Sequence, residues 1–171
     1  MCKVRRFIPP KAKRAQPLQV EAIPEDFLLE RLVELFDLGV NPDDAELFAV
    51  PNGGHRNAAV AGKLKAAGVR SGVSDLVLIG RNRLVVWIEV KRPEVRAAIP
   101  GKAKPVIVQT RGTLSKSQIA FRDRVTRWGF EFRVVETCEE FLAVLAEFGV
   151  PCRARMMGRA IFAPLDHVRS A

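Results

Sequence analysis

The sequence predicts an α/β fold in which a mixed central sheet is flanked by helices. Segments with apolar residues at helical spacing alternate with short β-rich runs, and two successive runs, 75–79 and 84–91, are apolar enough to lie in the middle of a sheet. The third observation is size. With 171 residues and 48% apolar side chains, the chain can bury one core and is too short for two ordinary domains.

Pro24, Glu25 and Asp26 set a helix start, and Phe27, Leu28, Leu32, Leu35 and Phe36 recur at helical spacing up to Gly39. A turn cluster at 41–44 leads to a short apolar run at 47–50, read as a strand that enters the loop Pro51-Asn52-Gly53-Gly54. Asn57 is placed to cap a second helix, closed by Gly68. The two central runs flank Gly80-Arg81-Asn82-Arg83, the pattern of a hairpin. Residues 93–112 hold three prolines and scattered Lys and Arg around Val106-Ile107-Val108, and 94–113 reads as a basic insertion with one edge strand. Ser115 caps a helix containing Ile119, Phe121, Val125 and Trp128, whose spacing puts Trp128 in the core. Residues 130–135 form a strand, and Thr137 caps a last helix through Phe148, with Glu139 and Glu140 where the helix dipole favours acid. The expected order is α, β, α, β, β, α, β, α. Residues 1–20 read as a basic flexible arm, 21–150 as the folded domain and 151–171 as a basic extension.

Lys and Arg number 28 against 19 Asp and Glu, a net charge of +9, with a pI near 10.1. An anionic partner follows, with nucleic acid ahead of a membrane surface. No apolar run approaches the roughly 18 residues of a bilayer span, and the Met1 end lacks the apolar centre of a signal peptide, so a cytoplasmic protein is expected. Cys2, Cys138 and Cys152 are odd in number and widely spaced, which argues against a zinc site or a disulfide framework. The charge is unevenly distributed. Residues 18–50 hold one Arg against nine acids, whereas 51–116 hold thirteen bases against three acids, two of which are Asp75 and Glu89.

Buried strands disfavour charge, yet the run 84–91 ends in Glu89-Val90-Lys91, where alternation puts the acid and the base on one face. The hairpin brings Asp75, at the start of the neighbouring run, beside Glu89. Two carboxylates that converge at a sheet end repel unless a cation lies between them. Mg²⁺ or Mn²⁺ suits oxygen donors and keeps water positions open, so that a phosphodiester oxygen can bind and water can be polarised toward phosphorus. Lys91 beside the pair is suited to stabilising phosphorane charge or to handling the attacking water.

The segments Gly68-Val69-Arg70-Ser71-Gly72-Val73-Ser74-Asp75, Glu89-Val90-Lys91-Arg92-Pro93 and Leu114-Ser115-Lys116-Ser117-Gln118 resemble the VRR-NUC family of the PD-(D/E)XK nuclease superfamily. Pro51-Asn52-Gly53-Gly54-His55-Arg56 and Lys63-Leu64-Lys65-Ala66-Ala67-Gly68 resemble its stand-alone members of phage and bacterial origin, and together the motifs cover about residues 21 to 148. The resemblance implies a restriction-endonuclease-like fold and a Mg²⁺- or Mn²⁺-dependent DNA endonuclease. Its implied catalytic set is Asp75, Glu89, Lys91 and Gln118. Its implied metal ligands are Asp75, Glu89, the Val90 main-chain carbonyl and a first-helix acid that falls on Glu21, with Glu25 competing. It further implies branched DNA such as a four-way junction as substrate, a homodimer and, for a phage member, the cytoplasm of a bacterial host. Two departures stand out: Ser74 occupies the usual proline position, and the insertion is longer than in minimal members. That insertion fits a substrate groove, a dimer contact or a tolerated surface loop.

Asn52, Arg56, Lys63, Lys65 and Arg70 precede Asp75 and suit sequence-independent phosphate contacts. His55 stays outside the catalytic set, and Trp87, on the face of Glu89 and Lys91, is expected to pack beneath the site. The competing reading is a non-catalytic nucleic-acid-binding protein that keeps the nuclease fold.

Overall fold

The computed structural model describes residues 22–51, 58–99 and 101–153. The expected basic arm, most of the C-terminal extension, and Glu21, Asn52, His55, Arg56 and Asn57 lie outside the described residues.

Helix α1 spans Glu25–Gly39 and follows Pro24, whose fixed φ of −65° suits a helix entry. Its buried residues, Leu28, Leu32, Leu35 and Phe36, are the apolar stripe visible in the sequence. Strand β1 (Ala45–Ala49), helix α2 (Ala58–Ala66), strands β2 (Leu76–Gly80) and β3 (Leu84–Val90), helix α3 (Lys116–Arg127), strand β6 (Glu131–Val135) and helix α4 (Cys138–Glu147) follow in the expected order. Between β3 and α3 lie two further strands, β4 (Val95–Ala97) and β5 (Val106–Gln109).

The main sheet runs β1-β2-β3-β6, antiparallel across the first two pairings and parallel between β3 and β6. It is thus mixed and flanked by helices, as expected. Asn82 (φ 57°) and Arg83 (φ 62°) turn β2 into β3, two consecutive left-handed residues that match the twist of a tight hairpin. On one face, Leu76, Leu78, Val86, Ile88, Val90 and Val135 pack with α1 and α4 around Leu32, Leu35, Phe141 and Leu145. On the other, Trp87 meets Phe121 of α3 edge-to-face, with ring centroids 5.0 Å apart.

Two expectations are corrected. Val106 to Val108 do not edge the main sheet; they pair with β4 in a separate two-stranded sheet. Trp128 is not core. It is the C-cap residue of α3, 64% exposed, one turn past buried Val125, where the chain reverses through Gly129 at φ 86°.

Phe141→Ala, at a side chain with no solvent exposure, should cost about 3–5 kcal/mol in urea denaturation. Trp128→Ala should stay within about 0.5 kcal/mol of wild type.

Candidate metal centre at the end of the β2-β3 hairpin

The β2-β3 register pairs Leu76 with Ile88, so its next step sets Asp75 opposite Glu89. Residues directly opposite in an antiparallel pair share a face, and this one is the face of Trp87 and α3. Asp75 is fixed twice. Its carbonyl accepts from Val50 N at 2.8 Å, and its Oδ2 accepts from Val90 N at 3.0 Å. The N–H and C=O of one strand residue point to the same side, so the Val90 carbonyl also looks toward Asp75, while Lys91 N donates the other way, to Val135 O.

Glu89 has no solvent exposure and Lys91 is 6% exposed. Lys91 Nζ donates to Glu89 Oε1 at 2.5 Å. The same oxygen accepts from Gln118 Nε2. Gln118 is also the third residue of α3 in a capping box: its Oε1 accepts from Ser115 N at 2.8 Å, and its own N–H donates to Ser115 Oγ. The capping box therefore fixes the amide in the orientation that reaches Glu89.

Glu89 Oε2 is buried and has no hydrogen-bond partner. Burial raises the Glu89 pKa to about 7, against the lowering effect of Lys91; the Asp75 carboxylate pushes it further up by its charge and by its proximity as a hydrogen-bonding neighbour. Among the described residues no cluster of three His, Cys, Asp or Glu side chains forms. A hard cation at this corner fits an unpartnered buried carboxylate oxygen, a second carboxylate and a main-chain carbonyl, with water completing its shell. Glu25 lies apart from the carboxylate pair: its Oε1 accepts from Arg92 N at 3.3 Å, just beyond Lys91.

Sequence reasoning missed the residues that hold these groups in place. A Cβ on Gly72 (φ 80°) would lie 2.4 Å from the backbone of Ser117, so the turn before Asp75 presses directly on the first turn of α3. A Cβ on Gly112 would meet Glu25 Oε1 at 2.9 Å and Lys91 Cδ at 3.1 Å. Gln109, 8% exposed, exchanges hydrogen bonds with Ile23 N and O and donates to Pro93 O at 2.8 Å. Gln109 is the one polar residue of an otherwise apolar strand, the only hint in the sequence. Ser74 is fully buried. Of the expected phosphate-binding residues that are described, Lys63, Lys65 and Arg70 are all exposed. Arg70 Nη1 donates to Lys65 O at 3.2 Å.

No family model matches the sequence, and no curated protein matches it. Among solved structures, a chain described as "VRR_NUC domain protein" is similar at 16% identity and a TM-score of 0.49, over 75% of this chain and 90% of that one. A likeness of this degree assigns no residue and no activity to this chain. Among the described residues, no helix is long and apolar enough to cross a membrane.

Gly72→Ala should destabilise by more than the roughly 1–2 kcal/mol of a left-handed non-glycine residue, whereas Gly129→Ala, with open space around its Cβ, should cost only that amount. Urea denaturation of both variants checks the difference. Because the folded Glu89 pKa of about 7 lies above its ordinary value of 4.5, the folded state holds the extra proton between those values. Stability of the metal-free protein should then fall by on the order of 2–3 kcal/mol as pH rises from about 5 to 8. Denaturation at stepped pH with chelator checks this, and the slope should be largely absent in Glu89→Gln.

Proposed function

We propose that the protein is a Mg²⁺- or Mn²⁺-dependent DNA nuclease. The observation that carries this is Glu89: a fully buried carboxylate, opposite Asp75 in the hairpin register, with one oxygen held by Lys91 and Gln118 and the other unpartnered. Asp75, Glu89 and the Val90 carbonyl are the residues that hold the cation. When bound, it supplies Lewis-acid polarisation of a phosphodiester oxygen and of water.

The chain's own residues do the rest. Gln118, fixed by the α3 capping box, keeps the Glu89 carboxylate in one rotamer. Lys91 spends one N–H on Glu89 and keeps two for a phosphate oxygen or the attacking water, so it stabilises charge that grows on phosphorus. The Asp75 bond to Val90 N fixes the second carboxylate without using both of its oxygens. Exposed Lys63, Lys65 and Arg70 suit phosphates flanking the scissile one. The motif resemblance extends the proposal to branched DNA and to a homodimer, in which two sites address symmetric strands.

The test is cleavage of labelled four-way junction, flap and linear duplex DNA with Mg²⁺ or Mn²⁺. The wild type should cut at least one substrate, and Asp75→Ala and Lys91→Ala should each be slower by about a hundredfold or more. Cleavage that persists in both variants, or none by the wild type in any combination, would refute the reading. In the second case the fold serves binding alone.

A further inference from the structure

β4 and β5 pair antiparallel as a two-stranded hairpin beside the candidate site. β4 begins four residues after Lys91, and β5 returns to close the stem: Gln109 donates to Pro93 O at 2.8 Å and Gly112 N to Arg92 O at 2.9 Å. The base is therefore fixed to the strand end that carries Glu89 and Lys91. Beyond the base the hairpin is uncovered. Val106, Ile107 and Val108 are 36%, 46% and 42% exposed, although a two-stranded sheet is marginal in water unless something packs on it. At the base, a cleft of about 320 Å³ is lined by Ala22, Arg92, Ile107, Val108, Gln109 and Thr110.

The charge of this element is one-sided. Residues 92–111 hold Arg92, Arg96, Lys102, Lys104 and Arg111 against Glu94 alone. Glu94 pairs with Arg96 and Glu136 with Arg111. The side chains of Arg92, Lys102 and Lys104 have no carboxylate partner among the described residues. An anionic occupant is favoured over a second copy of this equally basic surface. The same stretch contains no Phe, Tyr or Trp, so it offers no platform on which unpaired bases stack. A two-stranded ribbon, with strands about 4.8 Å apart, fits the roughly 12 Å major groove of B-DNA and not the deep, narrow one of an RNA duplex. In that groove β-branched side chains find thymine methyls, while lysines reach the phosphates on either side.

We propose that the β4-β5 hairpin is a duplex-DNA-binding arm that enters the major groove next to the scissile strand, with Arg92, Lys102 and Lys104 on phosphates and Ile107 toward the bases. The ligand class rests on the nuclease reading; the test does not use cleavage. Fluorescence anisotropy with chelator present measures binding of the whole chain to a labelled DNA duplex, to its single strand and to an RNA duplex of the same sequence, from 50 to 200 mM salt. Removing two phosphate contacts in Lys102→Ala/Lys104→Ala should lower the salt slope on the DNA duplex by about 1.8. Across that salt range the wild type then loses about tenfold more affinity than the variant. Ile107→Asp should weaken duplex binding, and the single-strand curves should be unchanged in both variants.

The proposal is overturned by a wild-type duplex slope in the lysine variant, by an equal slope loss on single strand or RNA duplex, or by a wild type that binds no duplex at 50 mM salt. It is also overturned if sedimentation shows that Ile107→Asp splits a dimer while duplex binding is untouched, which makes the hairpin a protein interface. The two readings fail separately. Hairpin variants that bind and cut like wild type remove the arm and leave the nuclease, whereas Asp75→Ala and Lys91→Ala variants that both cut at the wild-type rate remove the nuclease and leave the arm.

Discussion

A carboxylate enclosed at the end of a sheet, away from water, is the constraint around which this molecule is built. Taking Glu89 out of solvent costs several kcal/mol unless its oxygens find partners, and the chain supplies partners for only one of them. Lys91 and Gln118 converge on Oε1, while Oε2 is left without a donor. The strain is electrostatic, and burial with a neighbouring acid raises the proton affinity of Glu89 well above that of an ordinary glutamate. Under the proposed function, a divalent cation would relieve both effects at once, satisfying Oε2 and screening the two carboxylates from each other.

The surrounding fold holds this corner rigid. The β2-β3 register sets Asp75 opposite Glu89, and parallel pairing with β6 places Lys91 N on Val135 O. α3 crosses the same face with Phe121 on Trp87 and Gln118 on Glu89, so packing and chemistry are set by one helix at i and i+3. Gly72 allows the turn before Asp75 to touch the first turn of α3, coupling the two elements that bring acid and amide together. The same logic operates just beyond this end of β3, where Gln109 and Gly112 fix the hairpin base beside Lys91.

Most of this was legible in the sequence because it depends on local signals. The α1 stripe, the Ser115 and Thr137 caps, the turn at 80–83 and the misplaced charges at the end of a buried run each follow from neighbours within a few residues. β4 and β5 were not legible as a separate sheet, since each is three or four residues long among prolines and the base is tied by Gln109 to Ile23, 86 residues away. Trp128 follows the helical period of Phe121 and Val125 yet sits at the C-cap, where periodicity no longer reports what lies beneath. The dual role of Gln118 was half legible: the capping position is a sequence feature, but its bond to Glu89 is tertiary.

Within the folded domain the basic charge is concentrated in residues 51–116, with thirteen bases against three acids. That segment contains Asp75 and Glu89, the exposed Lys63 and Lys65 of α2 and the β4-β5 hairpin. The most direct test of the central claim is an anomalous difference map from crystals grown with Mn²⁺. The account expects one strong peak at a coordination distance of about 2.1 Å from Glu89 Oε2 and an Asp75 carboxylate oxygen. Fully occupied crystals with no peak there, or with Glu89 Oε2 bound to a protein donor instead, would contradict it.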